Sequence, residues 1–160
     1  MADWLKLDNA ALIFPAVRRR DWTNTFRVSA TLREKIQPDM LQKAVDMLMP
    51  RFPSVYVCLH RGVFWYYLQK LTRPPKVQPE GACPLIHMTG RELRQCCFRV
   101  LYYENRIAVE CFHAVTDGGG VVEIGADVAA QHAERRSLVG GRGDDLQIVR
   151  RRAHHADARD

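Results

Sequence analysis

The chain has 160 residues, 47% hydrophobic and 26% charged, with a formal net charge of +6. That balance belongs to a folded globular protein and excludes a disordered or collagen-like chain. No apolar run approaches the roughly 20 residues that a membrane-spanning helix needs, which excludes a span as well.

The first readable element is Thr25 to Leu32, where Phe26, Val28, Ala30 and Leu32 alternate with Thr25, Arg27, Ser29 and Thr31. Strict alternation over eight residues predicts a half-buried strand. Pro38 then stands at a helix start. Met40, Leu41, Ala44, Val45 and Leu48 follow at helical spacing until Pro50 and Pro53 stop the run. Val55 to His60 and Val63 to Leu68, separated by Arg61-Gly62, read as a hairpin. In that reading Trp65-Tyr66-Tyr67 contributes core packing plus one exposed ring. Residues 72–84 hold four of the eight prolines and read as a loop. Gln95 to Tyr103 and Arg106 to Phe112 are two more strands, turned by Glu104-Asn105. Strand, helix, hairpin, loop and hairpin together predict an α+β fold with a largely antiparallel, mixed sheet and packed helices.

Composition changes after Gly120. All 14 aromatics, all prolines, all five cysteines and all five lysines lie in residues 1–120, while 121–160 carry seven Arg, seven Ala and five Asp. Val121, Val122, Ile124 and Val128 are followed by little that could fill a core. Two units are therefore expected: residues 1–120, and an atypical Arg/Ala/Asp-rich tail over 121–160, read as the product of a reading frame lost near codon 120 in preference to a charged, frayed extension.

The N-terminus, Met1-Ala2-Asp3-Trp4-Leu5-Lys6, lacks the basic start and apolar stretch of a secretory signal, so a soluble cytoplasmic protein is expected. Cys58, Cys83, Cys96, Cys97 and Cys111 agree with that, being odd in number and without C-x-x-C spacing. A zinc site from Cys96, Cys97, Cys111 and His87 or His113 is disfavoured because neighbouring cysteines on a strand face opposite ways; no metal is expected. The positive charge lies in residues 1–120, where 17 Lys+Arg meet 11 Asp+Glu; the last forty residues hold seven of each. Apart from Arg18-Arg19-Arg20 and Arg150-Arg151-Arg152 it is scattered. A solvated surface or a phosphorylated ligand accounts for it as well as nucleic acid does, and no nucleic-acid partner is expected. Arg142-Gly143-Asp144 and His154-His155 read as parts of a solvated tail.

The segment built for chemistry is Cys111-Phe112-His113-Ala114-Val115-Thr116-Asp117-Gly118-Gly119-Gly120. A histidine delivered by the end of an apolar strand has a fixed position, and imidazole titrates close enough to neutrality to act as a general base. The glycine run after it reads as a turn that admits close backbone approach. Asp117 stands four residues on, where it can orient the ring or brace the loop through an arginine. By itself the H-x-x-x-D-G pattern marks a structural histidine more often than a catalytic one.

The surrounding segments add to this. Trp4-Leu5-Lys6-Leu7-Asp8-Asn9-Ala10-Ala11, Ile13-Phe14-Pro15, Phe26-Arg27-Val28, Arg51-Phe52-Pro53, Arg61-Gly62-Val63-Phe64-Trp65-Tyr66-Tyr67-Leu68, Phe98-Arg99-Val100-Leu101-Tyr102-Tyr103 and Glu110 to Gly118 follow in that order. In that order they resemble the start of bacterial alcohol acetyltransferase-like proteins, a branch of the group that holds chloramphenicol acetyltransferase and the condensation domains of nonribosomal peptide synthetases. The resemblance covers residues 1–120 and implies a half-domain of the chloramphenicol acetyltransferase-like fold. It implies acyl transfer from acyl-coenzyme A, such as acetyl-coenzyme A, to a small-molecule alcohol or amine, with the histidine matching His113 as general base. Asp117 is then mainly structural, and Gly118 lets the backbone approach the substrates. Phe112 stands where condensation domains carry a second histidine, as in the alcohol acetyltransferase-like branch. Members of the group have two similar halves with the site between them, so this chain is expected to be the first half, inactive alone or self-associating through its uncovered face. The rival readings are a non-catalytic remnant that binds a ligand or protein and, more remotely, a basic nucleic-acid binder.

Overall fold

The structure is a computed structural model that describes residues 4–7, 11, 13–16, 24–81, 83–116, 118–138 and 146–147. In chain order its elements are β1 (Trp4–Lys6), α1 (Ile13–Ala16), β2 (Thr25–Leu32), α2 (Pro38–Leu48), β3 (Val57–Arg61), β4 (Tyr66–Lys70), β5 (Gln78–Pro79), α3 (Gly90–Leu93), β6 (Phe98–Tyr103), β7 (Arg106–Phe112), α4 (Gly118–Leu138) and β8 (Leu146–Gln147). The strands form a small sheet in the order β1-β4-β3 and a larger one in the order β5-β6-β7-β2-β8. Every pairing is antiparallel except β5 with β6, which is parallel. This is the α+β fold with a largely antiparallel mixed sheet that the sequence predicts.

Alternation decides which face of the large sheet is greasy. Ala30 and Leu32 of β2, Phe98 and Val100 of β6, and Ile107, Val109 and Cys111 of β7 turn to one side, where α2 and α4 cover them. Pro38 opens α2 with its φ already set, and Asp39 sits favourably in the first turn. Leu41, Ala44, Val45 and Leu48 form its buried stripe. A second cluster, with Leu7, Val57, Leu59, Leu68, Met88, Leu93 and Phe112, fills the space beside the small sheet.

Several boundaries differ from the sequence reading, four of them for a clear physical reason. The hairpin turns over Gly62–Trp65 rather than Arg61-Gly62, so β4 begins at Tyr66. Gly62 N–H donates to Trp65 O at 2.7 Å, and a Cβ on Gly62 would stand 3.1 Å from that carbonyl, which suits glycine there. Trp65 is consequently exposed at the tip, not part of the core. β6 starts at Phe98 rather than Gln95, because Thr89 and Glu92 form a reciprocal capping box that commits residues 90–93 to a helical turn. The proline-rich stretch 72–84 includes the short strand β5. Gly118–Gly120 is the first turn of α4 and not an open loop.

The largest difference is α4 itself, which crosses the composition boundary at Gly120 and packs where the sequence suggested nothing could. Val121, Ile124, Gly125, Val128, Ala129 and His132 are all buried at helical spacing. The stripe escapes notice because glycine, alanine and histidine make up half of it. Those small residues let the helix lie close to the sheet: a Cβ at Gly125 would meet Val28 Cγ1 at 3.2 Å. Arg51 ties the outer face to Asp127 at 3.0 Å. Truncating Ile124→Ala should cost about 2–5 kcal/mol in urea unfolding. Unchanged stability would mean that 118–138 does not pack as described.

His132 joins α4 to α2. Its Nε2 accepts from Gln37 N–H, 3.3 Å away at the start of α2, while Nδ1 has no partner. Burial, with Arg136 adding to it, pulls the imidazole below its ordinary pKa of 6.5. A group depressed on folding contributes stability that is complete above its unfolded pKa and is lost as the pH falls below it. Charging the ring also removes the acceptor for Gln37. The urea midpoint should therefore drop between pH 8 and pH 5, and drop less in His132→Gln. Identical pH slopes in both proteins would contradict this coupling.

Candidate active site

β7 is the strand that carries the site, and a buried carboxylate fixes its place. Glu110 is 0% exposed and faces away from the helices, opposite Arg27 of β2 and Arg99 of β6 in register. Arg27 Nη1 donates to Glu110 Oε1 at 2.8 Å, and Arg99 Nε donates to Oε2 at 2.7 Å. Leu85 N–H donates to Oε1 at 2.9 Å. Arg27 also pairs with Glu80 at 2.5 Å, and Glu80 with Arg106 at 2.9 Å. A lone buried carboxylate would be strongly unfavourable; bonded to two guanidiniums and a backbone N–H, it locks three strands in one register. Arg99 donates to Ile86 O at 2.6 Å, so the same network pins the segment that leads to Met88, which packs in the cluster with Phe112 and Ala114.

The backbone of Cys97 bridges the two sheets. Cys97 N–H donates to Val57 O of β3 at 2.9 Å, and Cys97 O accepts from Phe112 N–H of β7 at 2.8 Å. Phe112 is held there in the second cluster, and the chain turns immediately after it, with Val115 N–H donating to Phe112 O at 3.1 Å.

His113 is thus placed at the first position beyond β7. Its N–H donates to Asn24 O at 2.8 Å, and the Asn24 side chain donates to Phe14 O at 3.0 Å. One asparagine therefore joins the backbones of α1 and the strand end. The rings follow: Phe14 stacks on the imidazole with centroids 4.6 Å apart and planes 9° apart, and Phe26 meets it edge-on at 4.9 Å. The residue is nonetheless exposed. An imidazole clamped between two aromatic rings and open to solvent has little freedom to turn and remains available for proton transfer.

Of the three residues singled out from the sequence, His113 stands at this site and Gly118 opens α4; Asp117 lies outside the described residues. Arg142-Gly143-Asp144 and His154-His155 lie outside them as well. Phe14, Asn24 and Phe26 are functional candidates that the sequence reading did not assign. Only contacts between distant segments reveal them. Cys96, Cys97 and Cys111 are packing residues: burial pushes the Cys96 thiol up to about 12 and raises the other two. Among the described residues no three of His, Cys, Asp and Glu form a group that could hold a metal ion. None of the described helices is long and apolar enough to cross a membrane.

Comparison with family profiles and with curated protein sequences gives no match. Solved structures do match. The starter condensation domain of rhizomide synthetase RzmA superposes with a TM-score of 0.66 at 12% identity, over 86% of this chain and 39% of that one. The complex of the X-domain and OxyB from teicoplanin biosynthesis gives a TM-score of 0.66 at 13% identity, over 91% and 35%. The condensation domain of the Monacolin K polyketide synthase MokA gives 0.61 at 13%, over 81% and 34%. The chain therefore has the α+β half-domain fold seen in these condensation domains. It spans between about a third and two fifths of the length of these structures.

Glu110→Gln should destabilise the fold by about 3 kcal/mol, since it leaves two half-buried guanidiniums short of their shared partner. Equilibrium unfolding in urea measures this, and a cost below about 1 kcal/mol would contradict a register-locking role.

Proposed function

We propose that the chain is the histidine-bearing half of an acyltransferase that moves an acyl group from a coenzyme A thioester to an alcohol or amine in the cytoplasm. The observation that carries the reading is His113: rigidly clamped by Phe14 and Phe26, fixed through Asn24 to the end of β7, and open to solvent. The condensation-domain fold and the ordered resemblance to alcohol acetyltransferase-like proteins support it.

In this reading an acceptor hydroxyl or amine meets the thioester beside His113. The imidazole takes the acceptor proton as its oxygen or nitrogen attacks the thioester carbonyl. The carbon–sulfur bond then breaks, and the imidazolium returns the proton to the departing thiolate. The products are an ester or amide and free coenzyme A thiol, and the reaction is complete without a metal. Phe14 covers one face of the imidazole and Phe26 meets it edge-on, which orients the ring and leaves it open to the acceptor. The resemblance gives Asp117 a bracing role, and Gly118 opens α4 behind the site.

General-base catalysis of this kind contributes about 100-fold to 10,000-fold. His113→Ala should therefore reduce acceptor-dependent thiol release from acetyl-coenzyme A at least about 100-fold, with an unchanged circular-dichroism spectrum. Release that survives the substitution, or no acceptor-dependent release at all, rejects transfer by this chain and leaves a non-catalytic binding module.

A further inference from the structure

The end of the small sheet carries an apolar tip that neither the fold nor the proposed chemistry uses. Val63, Phe64 and Trp65, consecutive in the turn between β3 and β4, are 86%, 87% and 61% exposed. Three large apolar side chains at the apex of one tight turn are unfavourable in water. The turn is also rigidly built. Gly62 N–H closes it onto Trp65 O, the Trp65 indole and the Tyr67 ring lie against Gly62, and the Phe64 and Trp65 rings stand 6.4 Å apart.

What surrounds the tip indicates what it meets. Tyr66 and Tyr67, half-buried, stand directly behind it, and Tyr67 stacks on His60. Arg61 lies opposite Tyr66 and Lys6 opposite Tyr67 in the sheet register. Lys70 closes the far end of β4. Among the described residues of β1, β3, β4 and the connecting turn there is no Asp or Glu. Aliphatic and aromatic groups at the apex, tyrosines behind them and cations beside those reproduce the layering of a bilayer's acyl region, interface and anionic headgroups. A second copy of the chain is a poorer fit. Three such side chains supply roughly 600 Å² at most, short of the roughly 800 Å² per partner of a stable interface. A two-fold pairing would also set one cationic patch against another.

We propose that the Gly62–Trp65 turn docks the protein on an anionic lipid bilayer, with Val63, Phe64 and Trp65 inserted and Lys6 and Arg61 on the headgroups. The docking is peripheral and independent of the acyltransferase reading, since it involves neither His113 nor its clamp.

The test is co-sedimentation of the 160-residue chain with phosphatidylcholine vesicles, with and without phosphatidylserine. The parent should bind only when phosphatidylserine is present, and binding should weaken as salt is raised. Val63→Ser with Phe64→Ser should lower the partition coefficient at least about tenfold, and Lys6→Gln with Arg61→Gln by about tenfold. All four positions are exposed, and matching melting curves would show that the variants are folded. Absence of phosphatidylserine-dependent binding by the parent overturns the proposal, as does binding that either variant retains in full. A parent that instead forms dimers dissolved by Phe64→Ser, with no vesicle binding, would assign the tip to a second copy and equally overturn it.

Discussion

The desolvated carboxylate of Glu110 is the constraint on which the arrangement depends. Side chains on a strand alternate, so a slip of one residue between β7 and either neighbour would leave that charge facing apolar groups. Arg27 and Arg99 stand directly opposite it on the two flanking strands, and only the observed register satisfies it. Greasy packing on the other sheet face tolerates small displacements; a buried ion network does not. Directional bonds on one face and non-directional packing by α2 and α4 on the other thus cooperate to define β7. His113 is three residues beyond Glu110 on the same chain.

The junction at Cys97 extends this control to the second sheet. Its N–H bonds Val57 and its carbonyl bonds Phe112, so the last residue of β7 is linked through Cys97 to the small sheet. Asn24 then holds the next residue, and through Phe14 O it brings α1 to the same place. The site is therefore built where several independent segments converge on one strand end. Such convergence allows the His113 ring to be exposed without being loose.

What the sequence reveals follows the range of the interactions. β2, α2 and β7 are legible because their patterns are local: alternation in Thr25–Leu32, a mostly apolar run over Arg106–Phe112, and a strongly amphipathic run opened by Pro38. His113 is legible because a histidine at a strand end, followed by a glycine run, is a local pattern too. α4 is obscure because its buried face is partly Gly125, Ala129 and His132, whose contribution comes from close approach rather than apolar area. The hairpin tip is obscure because an unbroken apolar run from Val63 to Leu68 does not show which of its residues the turn consumes. Asn24, the aromatic clamp and the partners of Glu110 join residues far apart in sequence, and no local pattern encodes them.

The account's central claim is that this scaffold presents His113 to a thioester. The most direct measurement is a crystal structure of the chain with a non-hydrolysable thioether analogue of acetyl-coenzyme A. The account predicts the acyl end of the analogue beside the His113 imidazole, next to the Phe14 and Phe26 rings. An analogue bound away from β7's end, with His113 untouched, would contradict it.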